Sequence, residues 1–342
     1  MRRFLATLLA TAVLVVASAC SGDSKPAAKD EKPSTSAKPT TTTEPPKVAA
    51  PLTGVLVPPA TVARAAVSVK VDNTDAGRPQ AGLDRADVVY EERVEGGVSR
   101  MIAVFHSQDA ELVGPIRSVR TSDGPIVGPL GGVFTFSDGT PAVVRGLGSV
   151  PVKAVYEMLG AAPFTYPPGR NRPLKTFAKT ARLREEATKQ TPPPALFSFR
   201  GSGEALAGAT PAAKASFAFG QRSSVVFDFD AASGRWLRTS NGKVHTLTDG
   251  ARLGFTNVVI QTVAYRSVGY RDSSGTMVDE AVSVGSGEAV LLSGGAQLKL
   301  RWSKSSPTAV TQFTDAAGAP VKLAPGTTWV GLVPTGSAIT IA

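Results

Sequence analysis

Cysteine is almost absent from this chain: Cys20 is the only one in 342 residues. A body with no further cysteine forms no internal disulfide and carries no thiol nucleophile. That argues against a cysteine-based cross-linking transpeptidase. Histidine is nearly as scarce, with only His106 and His245, so a His/Cys metal site cannot be assembled. His106 ends an apolar strand and reads as a capping or surface residue; His245 falls in a hairpin strand and reads as structural. The apolar run at residues 4–16 matches a signal-peptide core and is too short for a typical membrane-spanning helix. Acids are in deficit, with 37 Lys and Arg against 27 Asp and Glu and a net charge of +10. Cleavage of a leader would remove Arg2 and Arg3 from that excess. The remaining positive charge suits a neighbourhood of anionic lipid headgroups or wall polymers. No Lys/Arg stripe with interleaved aromatics is present, so nucleic acid is not expected as a partner. A Gly-x-Ser-x-Gly elbow is missing as well. Ser240-Asn241-Gly242-Lys243 matches Ser-x-x-Lys in form but sits on a hairpin turn, where an activated serine has no enclosed site.

Arg2 and Arg3, the apolar run, and then Ala17-Ser18-Ala19-Cys20 resemble a lipoprotein signal peptide, with Ala17 where Leu is preferred. On that reading Cys20 is lipidated and anchors the chain to the outer face of the cell membrane. The alternative is an ordinary secretion signal with an incidental cysteine. Residues 21–51 are Lys, Pro, Ser, Thr and Ala with almost nothing to bury, and read as a disordered tether. A flexible coil of that length spans roughly 30 Å, and a polyproline-like one roughly 95 Å.

Length alone suggests two domains beyond the tether. Residues 52–200 mix strand patterns (66–71, 87–91, 98–105, 133–136) with helical spacing at 152–159 and 180–190. From 215 to 342 the texture is short alternating strands without a helix, and Asn241-Gly242 marks a two-residue hairpin. The expected fold class is α+β, with a mixed α/β N-terminal domain at 52–200 followed by a mostly β domain at 215–342.

Chemistry concentrates between Val67 and Arg120. Glu91, Glu92 and Glu95 lie close together, with Asp72, Asp84 and Asp87 upstream. A pair of carboxylates is the minimum for glycoside cleavage, and Glu91 or Glu95 would supply the acid. The same acids could instead pair with nearby arginines. Arg78, Arg93, Arg100, Arg117 and Arg120 form an unusual density of planar guanidinium forks suited to carboxylates and phosphates. They read either as an anion-binding cleft or as internal salt bridges.

Several runs also carry a resemblance. Lys70-Val71-Asp72-Asn73, Arg78-Pro79-Gln80-Ala81-Gly82-Leu83, Ala86-Asp87-Val88-Val89-Tyr90-Glu91, Val94-Glu95-Gly96-Gly97-Val98-Ser99-Arg100 and Gly114-Pro115-Ile116-Arg117-Ser118-Val119-Arg120 resemble the YerB-like bacterial lipoproteins, the domain of unknown function 3048 family. Asn257-Val258-Val259-Ile260-Gln261 and Pro325-Gly326-Thr327-Thr328-Trp329-Val330 are similar to that family's C-terminal domain, so the resemblance extends over residues 55–340. It implies a fold and an envelope location rather than a reaction. Where the family tends to have Pro-His-Asn-x-Tyr, this chain has Pro173-Leu174-Lys175-Thr176-Phe177 and so lacks a histidine that could act as acid or base. The leading expectation is a non-catalytic, membrane-anchored envelope module without cofactor or metal. It would bind a peptidoglycan fragment or an envelope protein through Asp72, Asn73, Arg78, Glu91, Glu95, Arg100, Arg117 and Arg120. The alternatives are a wall-cleaving hydrolase using Glu91 or Glu95, and a structural accessory subunit.

Overall fold

The computed structural model of the chain describes residues 46–157, 163–271 and 275–342. The leader expected at 1–20, Cys20 with it, and most of the tether lie outside the described residues. Order begins slightly earlier than the composition suggests. Val48–Ala49 pairs with Leu56–Val57, and Ala50 and Leu52 are buried. Residues 45–342 form one compact unit, and both of its apolar clusters lie within that unit.

Strands dominate the described residues, and the short helices all precede residue 186. The principal strands are β1 (Val67–Asp72), β2 (Val88–Arg93), β3 (Ser99–Phe105), β4 (Val133–Phe136), β5 (Lys153–Tyr156), β6 (Lys214–Gly220), β7 (Ser223–Asp230), β8 (Arg235–Ser240), β9 (Asn257–Val263), β10 (Gly285–Ser293), β11 (Ala296–Lys304) and β12 (Thr328–Pro334). An 11-stranded sheet takes the order β11-β10-β9-β12-β2-β3-β1-β4-β5, with two short segments added at β11. A second sheet of 6 strands is built around β8-β7-β6. The large sheet draws on both halves of the sequence. β12 runs parallel to β9 on one side and to β2 on the other, in register Gly331↔Glu91 and Gly331↔Ile260.

Alternation along the strands sorts the side chains into two layers. Val67, Val69, Val71, Met101, Ala103 and Phe105 share one apolar layer with Trp329 of β12 and with Phe217, Phe227, Trp236 and Phe255 of the second sheet. Ile102, Val104, Phe134 and Phe136 face the opposite layer, which holds Ile126 of the helix Asp123–Val127 together with Leu196 and Phe197. Central strands covered on both faces are apolar nearly throughout. β1 is buried at every position, so its polar members Ser68, Lys70 and Asp72 need internal partners.

Two expected helices turn out differently. Residues 153–156 form strand β5, parallel to β4, and Tyr156 stacks on Phe136 at 4.9 Å. The β-branched Val155 and the aromatic Tyr156 suit a pleated edge, and pairing with β4 outweighs the helical spacing. The end of that expected helix, at 158–159, lies outside the described residues. The helix expected over 180–190 stops at Glu185. Gln190 instead accepts from the Ala65 amide at 3.1 Å and donates to the Arg184 carbonyl at 3.1 Å, which holds the following segment off the helix axis. The Asn241-Gly242 hairpin forms as expected, with φ of 49° and 72° at the two turn residues.

Gly132 enters β4 at φ +67°, and a Cβ there would sit 2.2 Å from the Ala66 carbonyl oxygen. Backbone cannot yield as a flexible side chain does. Gly132→Ala is therefore expected to lower stability by about 1–3 kcal/mol, read as a shift in the denaturant midpoint at unchanged slope.

Candidate functional site

Two charged networks occupy opposite faces of the large sheet, and a third group lies at the sheet end between them. The first lies between the two sheets. Glu91 of β2 is fully buried and closed by donors. Its Oε1 accepts from Arg238 Nη2 at 2.8 Å, Asn73 Nδ2 at 2.9 Å and Ser99 Oγ at 2.6 Å; its Oε2 accepts from Arg238 Nη2 at 2.9 Å and Trp329 Nε1 at 3.1 Å. Arg238 Nη1 meets His245 Nδ1 at 2.5 Å, and His245 Nε2 meets Gln80 Oε1 at 2.8 Å. A guanidinium only donates, so Nδ1 accepts and the imidazole proton sits on Nε2, facing the Gln80 oxygen. Burial, aided by Arg238 and Arg78, holds the His245 pKa well below its ordinary value, in keeping with a neutral ring. Gln80 Nε2 donates onward to the Asp72 carbonyl at 2.9 Å and to Asn73 Oδ1 at 3.2 Å. Arg78 joins from the rim through Ser240 Oγ at 2.5 Å, the Asn73 carbonyl at 3.3 Å and an ion pair with Asp75.

The second network lies on the other face. Lys70 Nζ of β1 donates to Glu92 Oε1 and to Asp123 Oδ1, each at 2.6 Å, and all three side chains are buried. Asp123 Oδ2 also accepts from the Arg120 amide at 2.8 Å. One ammonium cannot balance two carboxylates. Burial, reinforced by Asp123 and opposed by Lys70, raises the Glu92 pKa to about 8.

At the end of the same strands, Asp72, Glu95, Arg100, Arg117 and Arg120 come together. Arg117 Nε pairs with Asp72 Oδ2 at 2.8 Å. Arg120 Nε binds Glu95 Oε1 at 2.6 Å and Oε2 at 2.8 Å. Arg100 Nη1 donates only to the Ser118 carbonyl at 3.0 Å, and among the described residues it makes no ion pair. Burial, together with the charges of Arg120 and Arg117, lowers its pKa to about 9. Arg100 is 6% exposed, while the side chains of Arg117 and Arg120 are 18% and 16% exposed, so the latter two face solvent at the mouth of the group.

The expected site residues therefore divide. Asn73 and Glu91 belong to the enclosed network between the sheets, with Arg78 at its edge. Asp72, Glu95, Arg100, Arg117 and Arg120 form the rim group. His106, expected as a capping or surface residue, is instead fully buried, with Nε2 3.0 Å from the Arg64 carbonyl oxygen and 3.1 Å from that of Val62. It packs inside because its own amide and that of Ser107 are tied to Asp87. Sequence reasoning missed Lys70, Asp123 and Arg238. A lysine inside Val67-Ser68-Val69-Lys70-Val71 was a visible signal, since a charge in a buried strand calls for a buried partner.

Comparison with known proteins follows this division of the chain. Residues 52–193 match the N-terminal domain, and residues 215–330 the C-terminal domain, of a protein family of unknown function, DUF3048. The chain belongs to the DUF3048 family. It is similar to a Bacillus subtilis protein named "Putative lipoprotein YerB", at 26% identity over 305 residues, covering 86% of this chain and 89% of that protein. The crystal structure of YerB from Bacillus subtilis superposes with a TM-score of 0.74 at 22% identity, covering 86% of this chain and all of that one. The fold is thus shared with a crystallised relative. The β12 strand that joins the halves begins within the matched C-terminal domain, at residues 328–330, and runs past its end.

Proposed function

We propose that this DUF3048 protein is a non-catalytic, membrane-anchored envelope lipoprotein whose Arg100–Arg117–Arg120 rim binds an anionic ligand. A carboxylate- or phosphate-bearing wall fragment, or an acidic face of an envelope protein, has the matching chemistry. One observation carries the reading: three clustered arginines share two carboxylates, Asp72 and Glu95, and Arg100 is left with a single neutral acceptor. A nearly buried cation without a counter-charge is costly, and an anion arriving at Arg117 and Arg120 would offset that cost. The leader sequence and the lipoprotein name of the Bacillus relative support the envelope location.

The acids have poor geometry for hydrolysis. Glu91 is sealed behind Arg238, Asn73, Ser99 and Trp329, and Glu95 is held by both oxygens on Arg120. A general acid must reach the proton-accepting oxygen of its substrate.

The test uses purified cell-wall sacculi, with pellet and supernatant analysed by mass spectrometry. Wild-type protein is expected in the pellet at low salt, without released muropeptides. Arg117→Gln with Arg120→Gln should weaken retention roughly tenfold or more, since each charge-assisted contact contributes about 1.5–3 kcal/mol. Unchanged retention by folded variants would remove the rim as the site. Muropeptide release that stops in Glu95→Gln would make the protein an enzyme.

A further inference from the structure

β9 and β10 pair only from Asn257↔Ser293 to Gln261↔Ala289. Beyond that point they part. β10 continues back to Gly285 against β11, while β9 ends and is followed by the antiparallel pair Tyr265–Arg271 and Met277–Ala281. The Trp302 indole fills part of the gap, donating from Nε1 to the Thr262 carbonyl at 3.0 Å. The split leaves a cleft of about 810 Å³, bounded on its far side by the segment 335–339 after β12. That volume lies in the range of small-molecule sites.

The cleft floor is graded. Register places Val290 beside Ile260 and Lys299 in one row, and Glu288 beside Arg301 in the next, with Thr262 alongside. The inner side is aliphatic, with the half-buried Val290 and Ile339 at its surface and Ile260 and Val263 fully buried behind them. The outer strand presents Lys299 and Arg301, two positions apart and therefore on the same face. Both are exposed, and among the described residues neither side chain makes an ion pair or hydrogen bond. Glu288 is the single acid lining the cleft, so the outer side holds two cations against one anion. Ordinary exposed strand residues would need no explanation. Two unpaired cations along one wall of a large cleft, opposite an aliphatic wall, define a site with a polar end and an apolar end.

We infer that this cleft binds a small anionic amphiphile, with its apolar body against Val290 and Ile339 and its anionic group on Lys299 and Arg301. The inference is independent of the Arg100–Arg117–Arg120 rim, which uses other residues and other strands. Glu288 sets the charge preference: it disfavours a second negative group and leaves room for one.

Two naphthalene probes of nearly the same shape separate charge from apolar contact. These are the sulfonate 1-anilinonaphthalene-8-sulfonate and the uncharged N-phenyl-1-naphthylamine, titrated into the compact unit 45–342 and followed by fluorescence. The sulfonate is expected to bind one site. Lys299→Gln with Arg301→Gln should weaken it roughly tenfold or more and leave the uncharged probe nearly unchanged. Glu288→Gln should tighten the sulfonate and not the uncharged probe. Ser286→Trp, an exposed position lining the cleft, should abolish both, while Lys243→Gln, at an exposed cation outside the cleft, should alter neither. Sulfonate binding that survives Ser286→Trp in a folded variant would overturn the assignment to the cleft. Equal binding of the two probes, indifferent to Lys299 and Arg301, would overturn the anionic preference.

Discussion

Replacing Arg238 with methionine is expected to destabilise the protein by about 3–5 kcal/mol, the usual cost of breaking one side of a buried ion pair. Glu91 would keep its three other donors, from Asn73, Ser99 and Trp329. It would lose the only full positive charge bonded to it, in a layer filled with Phe217, Phe227 and Trp329. Glu91→Gln should cost a similar amount, because Arg238 then remains charged with only His245 beside it, and a neutral ring offers no counter-charge. The double substitution should be much less harmful than the sum of the two. A double-mutant cycle in urea would report that difference as a coupling energy. Additive losses would mean that the pair is already balanced by other groups. The predicted loss should also leave the rim intact, since Arg117 and Arg120 contact neither residue.

Lys70→Met carries the second large effect and a pH signature. At neutral pH it should also cost about 3–5 kcal/mol, because Asp123 and Glu92 lose the ammonium they share. The two carboxyls can then shed charge only by taking up protons, so part of the loss should be regained as the pH is lowered toward 4. In the wild type Glu92 and the buried histidines pull in opposite directions, since burial lowers His106 to about 4 and His245 well below its ordinary value. The Glu92 contribution is thus read as the difference between wild type and Glu92→Gln. The folded value of Glu92 is raised from 4.5 to about 8. The stabilising contribution is therefore fully present below about pH 4.5 and disappears as the pH rises through about 8. Glu92→Gln should remove the decline with rising pH that Glu92 contributes in that window while keeping the Lys70–Asp123 pair. Denaturation midpoints measured at half-unit pH steps for the three proteins would check both claims. A stability difference between wild type and Glu92→Gln that stays constant from about pH 4.5 to about 8 would contradict the assignment.

Much of the strand framework was legible because β-branched runs and turn residues are local signals. Val67-Ser68-Val69-Lys70-Val71 and Val225-Val226-Phe227-Asp228-Phe229-Asp230 announce strands, and Asn241-Gly242 announces its turn. The parallel pairing of β12 with both β9 and β2 is a long-range choice with no local mark. The same holds for β5, where helical spacing gave way to pairing with an edge. The rim group was foreseeable from the density of arginines. Its division from Glu91 was not, because Glu91 and Glu92 are neighbours whose side chains the pleat sends to opposite faces. Sequence proximity suggested one acidic site, and alternation made two.

The position of β12 has a consequence for how the chain reaches this state. Residues 328–334 fit between β2 and β9, so β2 has a bare edge until that late segment arrives. A polypeptide delivered N-terminus first, from a ribosome or through a membrane pore, must therefore wait with its large sheet divided. The strand edges of β2 and β9 remain open to foreign pairing for that whole interval. Completion is a single late insertion, and a chain interrupted before residue 328 would carry two unsealed edges into a compartment of other unfolded chains.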